Sequence, residues 1–128
     1  MDDRTREILN RFNTSWAQTK ARFDDLISNH EAFERLIPIR EFITHLEESG
    51  GKEVYRLGTS IYMLIISRSV DHGLRTDQKY IRIEALGAND FEVTMSDGEK
   101  IYRQYRVNDL KDSRVIKLFQ TLKHVLID

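Results

Sequence analysis

Apolar residues recur along the chain with two different periods, and the change of period divides it into three parts. In the first, Ile8, Leu9, Phe12, Trp16, Phe23, Leu26 and Ile27 return at spacings of three, four and seven, as one face of an α-helix requires. No glycine or proline interrupts residues 4–28. The pattern predicts one helix of about 25 residues, roughly 37 Å long. A domain of this size has a radius of gyration of about 14 Å, so the helix crosses all of it and one end is expected to project. The weaker helix formers Asn13, Thr14 and Ser15 mark where a kink would fall.

A second helical stripe follows in Phe33, Leu36, Ile37, Ile39, Phe42, Ile43 and Leu46, broken by Pro38. Proline lacks the backbone donor and clashes with the preceding turn. The stripe therefore predicts a short helix to about Ile37, then a kink or a restart with Pro38 in the first turn. Glu47 to Gly51 should end it, a glycine taking the left-handed cap.

In the middle part the period shortens. Strands are expected over 53–57, 60–69, 79–86, 90–96 and 99–107, punctuated by Gly58, Asp71-His72-Gly73, Gly87-Ala88-Asn89 and Asp97-Gly98. Such short connections cannot hold crossover helices, so the sheet should be an antiparallel meander. From about Asp112, the stripe of Val115, Ile116, Phe119, Leu122, Val125 and Leu126 predicts a last helix, capped by Asp112 or Ser113. The fold class is α+β: two N-terminal helices, an antiparallel β-meander of four to five strands, and a C-terminal helix packed on the sheet. At 128 residues the chain is expected to form a single domain over 1–128.

Two strands hold most of the functional question. In FEVTMSDGEKIYRQYRV, basic and aromatic residues interleave at Tyr102, Arg103, Tyr105 and Arg106. A two-residue loop at Asp97-Gly98 would mix the apolar faces of the hairpin. A three-residue loop, Ser96-Asp97-Gly98, pairs Val93 with Ile101 and makes them coincide. That register predicts a core face of Phe91, Val93, Met95, Ile101, Tyr105 and Val107, with Arg103 near its rim. Glu92, Thr94, Lys100, Tyr102, Gln104 and Arg106 then face outward. The other strand, IYMLII at 61–66, is apolar on both faces and needs a second cover. Tyr62, Leu64, Ile66, Tyr80, Arg82, Tyr102, Gln104 and Arg106 form the candidate interaction surface.

Composition narrows the classes of function. The net charge is −1, and no segment is basic enough for the footprint of a phosphate-backbone binder. There are no cysteines, which removes thiol nucleophiles, disulfides and cysteine metal sites. The N-terminus is charged, without the apolar run of a secretory signal. The longest apolar run, 61–66, is too short to cross a bilayer. These features predict a soluble cytoplasmic protein with no membrane partner.

No residue pattern assigns a catalytic, cofactor-binding or metal-binding site. Glu41, His45 and Glu48 share a helix face, but lie beside the apolar stripe as a solvated flank. Ser67, Ser69, Asp71 and His72 bring triad residue types close in sequence, without the geometry or the nucleophile elbow. The glycines fit neither a dinucleotide fingerprint nor a P-loop. The leading expectation is a small non-enzymatic protein-interaction domain, binding a protein partner or associating with itself as a homodimer. One alternative is a nucleic-acid binder using the outer sheet face, where tyrosines would stack on bases. The other is a small-ligand or enzyme domain with a pocket between helices and sheet.

Overall fold

The computed structural model describes residues 2–29, 31–69 and 78–125. The first helix, α1, runs unbroken over Asp3–Asn29, about 40 Å at the usual rise. Asp2 caps it by accepting from the Thr5 backbone N–H at 2.7 Å. The weak helix formers Asn13, Thr14 and Ser15 do not interrupt it. The Thr14 and Ser15 hydroxyls donate back to the carbonyls of Asn10 and Phe12, at 2.9 and 2.6 Å, so the weak formers are satisfied within the helix. After a 3-10 turn over Glu31–Leu36, the second α-helix, α2, spans Ile37–Glu48 with Pro38 in its first turn. Proline there loses no helical hydrogen bond, which makes the restart possible. The last helix, α3, spans Ser113–Lys123, and Asp112 caps it by accepting from the Arg114 N–H at 2.9 Å.

Between α2 and α3 lie β1 (Arg56–Ser60), β2 (Met63–Ser67), β3 (Lys79–Gly87), β4 (Asp90–Asp97) and β5 (Lys100–Val107). They form one antiparallel five-stranded meander in chain order. One face carries the core. Leu57, Leu64, Ile66, Ile81, Ile83, Phe91, Val93 and Met95 pack there against Trp16 and Phe23 of α1, Ile39, Phe42 and Ile43 of α2, and Val115, Phe119 and Leu122 of α3.

Three strand expectations need correction. The first strand begins at Arg56 rather than 53, because Gly51–Glu53 makes a 3-10 turn beneath Trp16. Gly58 is then mid-strand, opposite Ile65, and punctuates nothing. The apolar run 61–66 does not form one strand. Ile61 and Tyr62 are the two-residue turn that joins β1 to β2, with Ser60 paired to Met63. In the last hairpin Asp97 pairs with Lys100, so the loop is Gly98-Glu99 and not the three-residue loop. A bulge opposite Met95 and Ser96 then absorbs one residue, pairing Met95 with Arg103 and Val93 with Tyr105. The apolar faces still coincide, but Ile101 lands outside the core at 60% exposure. Tyr105 is half-buried against the core cluster, and Val107 lies within it.

Two of the hairpin turns share a positive φ at the first loop position, carried by different residues. Gly98 holds φ 66 at the first loop position; Ile61 holds φ 57 at the same position of its turn. Glycine is the residue suited there. A β-branched residue at positive φ is strained by about 1–2 kcal/mol. Ile61 is 72% exposed, so burial does not offset this. Ile61→Gly is expected to raise stability by about 1 kcal/mol, measurable in urea melts. Gly51 is the opposite case. A Cβ there would lie 2.7 Å from the Leu46 carbonyl oxygen and 3.0 Å from the Trp16 ring. Gly51→Ala is expected to cost about 1–3 kcal/mol by overpacking, whereas Gly87→Ala, with nothing within 4 Å of its added Cβ, serves as the comparison.

Candidate functional site

The structure divides the eight residues of the candidate surface. Strand alternation, read through the register, puts Leu64 and Ile66 on the core face, both fully buried. They therefore belong to no exposed surface. The reason is the turn at Ile61-Tyr62, which fixes the phase of β2 and sends only Met63, Ile65 and Ser67 to the other side. Ile65 is 2% exposed there. It stands opposite Gly58 and Arg82, outside the main core cluster. Tyr62 is a turn residue, its ring 4.6 Å from that of Phe33.

Tyr80, Arg82, Gln104 and Arg106 do share the outer face: Arg82 pairs with Thr94, Thr94 with Gln104, Tyr80 with Ser96, and Glu92 with Arg106. Their charges are largely answered within the face. Arg106 holds Asp90 in a two-point ion pair, Nε to Oδ1 at 2.9 Å and Nη2 to Oδ2 at 2.6 Å. Gln104 donates to Thr94 at 2.9 Å and to Glu92 at 3.3 Å. Glu84 lies opposite Glu92. A phosphate backbone laid over this face would meet those carboxylates as well as the arginines.

The strand rim is different. β5 is an outer strand of the sheet, and among the described residues no backbone group beyond β4 pairs with it. Residues 100–104 and 106 are exposed. Tyr102, in the bulge, lies beneath the Arg103 guanidinium at 4.5 Å and near the Lys79 ammonium at 5.4 Å. Arg114 lies over the Tyr105 ring at 5.4 Å. Among the described residues no carboxylate pairs with Lys100 or Arg103. This edge therefore offers open backbone groups, two tyrosines and uncompensated positive charge.

The opposite edge is covered at its start. The Leu57 N–H of β1 donates to the Ser15 hydroxyl at 3.1 Å, and the Trp16 indole donates to the Tyr55 carbonyl at 2.8 Å. Side chains of α1 thus engage the backbone where the chain enters β1. The sequence reading identified the aromatic-basic content of 99–107 but assigned it to a sheet face; strand order, which decides that it is an edge, leaves no local trace in the sequence.

The carboxylate-histidine set Glu41, His45, Glu48 is not joined by further ligands, and no metal-binding group of three occurs among the described residues. Ser67 and Ser69 are buried; Asp71 and His72 lie outside the described residues. No helix among the described residues is long and apolar enough to cross a membrane. No family model, curated protein or solved structure matches the chain, so the geometry alone carries the functional argument.

The Arg106 hydrogen bonds hold the Asp90 carboxyl below its ordinary titration range. A depressed carboxyl contributes stability above its unfolded pKa, lost as pH falls through the lower folded value. Arg106→Gln is expected to move the Asp90 midpoint upward in a carbon-detected NMR titration and to remove this part of the acid dependence. An unmoved midpoint would show that the pair does not persist in solution.

Proposed function

We propose that the protein is a non-enzymatic interaction domain that takes an extended, acidic segment of a partner protein along the open edge of β5. The observation that carries this reading is the asymmetry of the sheet: α1 side chains cover the start of the β1 edge, while β5 has no cover among the described residues. An open edge supplies the backbone pairing, and side-chain chemistry supplies the choice of partner. Lys100, Arg103 and Arg106 give β5 three cations and no acid. Like charges facing across a strand pair are destabilising. A second copy of β5 would bring these cations together. An acidic strand does not meet that objection. The homodimer thus ranks below a partner of opposite charge.

A fluorescent decamer of alternating glutamate and valine, titrated at 50 mM salt, tests the reading. Anisotropy should show saturable binding that weakens as salt rises. The exposed double variant Lys100→Glu, Arg103→Glu should lose at least tenfold and prefer the matching lysine–valine peptide. Equal binding of both peptides by the parent protein, or none at 100 µM, would overturn the proposal. Light scattering over a concentration range examines the second copy: a dimer that the double variant abolishes would assign the edge to self-association instead.

A further inference from the structure

A second feature, remote from β5 in chemistry, is a cleft of about 290 Å³ between α2 and α3. Its walls are Phe42, Leu46, Val115 and Phe119, with Tyr55 at its floor. Three of the rings hold one another edge-on: Phe119 lies 5.6 Å from Phe42 and 5.6 Å from Tyr55. The Tyr55 hydroxyl donates to the Phe119 carbonyl at 3.0 Å, so the floor is anchored and its one polar atom is engaged. Burial raises the Tyr55 phenol above its ordinary value.

Around the mouth the lining turns polar, and its only charged residues are lysines. His45, Lys111 and Lys123 line the cleft, and none of its described lining residues is acidic. Among the described residues no carboxylate pairs with Lys111 or Lys123. The Arg68 guanidinium donates to the Lys123 carbonyl, placing a further positive charge behind the end of α3. In a protein of net charge −1, such an acid-free lining is a local departure. An apolar trough with cations only at its rim is complementary to a molecule with an apolar body and an anionic head.

We infer that the cleft between α2 and α3 binds a small amphipathic carboxylate, its apolar chain against Phe42, Val115 and Phe119 and its head group near Lys123. The volume lies at the lower end of the range for drug-sized ligands. It suits an unbranched chain of about eight carbons better than a long-chain lipid. Burial fixes the expected chain-length dependence: each methylene removed should weaken binding roughly fourfold. The site shares no lining residue with the β5 edge, so the two readings stand or fall separately.

Amide-resolved NMR titration of the full chain with octanoate, hexanoate, 1-octanol and octylammonium tests the inference. Octanoate should shift resonances of residues 42–46 and 115–123 saturably. Hexanoate should bind roughly sixteenfold more weakly, and the alcohol and amine at least tenfold more weakly than octanoate. Lys123→Gln, at an exposed position, should lower octanoate affinity about tenfold and leave octanol unchanged, whereas Lys111→Gln, at the other end of α3, should change octanoate affinity less than threefold. The β5 double variant should bind octanoate as the parent does. Equal affinity for the three head groups, shifts centred elsewhere, or displacement of octanoate by an acidic helical peptide of higher affinity would overturn it, the last in favour of a protein partner.

Discussion

The seating of Trp16 is the constraint on which the architecture depends. Its ring is fully buried, it comes within 3.0 Å of where a Gly51 side chain would begin, and its indole N–H is used by the Tyr55 carbonyl. Three elements meet there: α1, the end of α2 and the start of β1. A smaller residue at 16 would leave a void and an unpaired carbonyl. A larger one at 51 would push α1 from the sheet. One residue further back, Ser15 receives the Leu57 N–H. The same turn of helix therefore fills the core and covers the start of an edge of the sheet.

That arrangement makes the two edges unequal. An exposed edge strand is a hazard for aggregation unless it is covered, bent or charged. The β1 edge is covered at its start. The β5 edge is bent by its bulge and charged by lysine and arginine, and the charge rejects a copy of the same strand while leaving an opposite charge welcome. The helical side of the sheet shows a comparable economy. Helices α2 and α3 meet through Phe42 and Phe119, and the gap their rings hold open becomes the cleft.

Periodicity made most of this fold legible. The stripes of α1, α2 and α3 and the succession of strands along the chain follow from spacing, because each helix and strand has one face to bury. What escaped depended on partners distant in sequence. IYMLII reads as a continuous strand until the turn at Ile61 divides it, and isoleucine is the last residue that turn chemistry would select there. The final hairpin matches its apolar faces in a different register, a shorter loop plus a bulge placing Tyr105 rather than Ile101 opposite Val93. The outer face was half readable: Tyr80, Arg82, Gln104 and Arg106 do lie together, while Leu64 and Ile66 could be placed only once the phase of β2 was known. The cleft was beyond reach, because His45 and Lys123 are neighbours only after folding.

The chain contains one tryptophan, and it lies at the junction of α1, α2 and β1. Its indole emission is thus a label-free optical gauge of helix docking. Detachment of α1 would bring the ring from a dry interior into water and redden its fluorescence, even with the sheet intact. Comparing that signal with circular dichroism during denaturation would separate undocking of the helix from loss of the fold, a distinction that most domains of this size yield only after an engineered probe has been introduced.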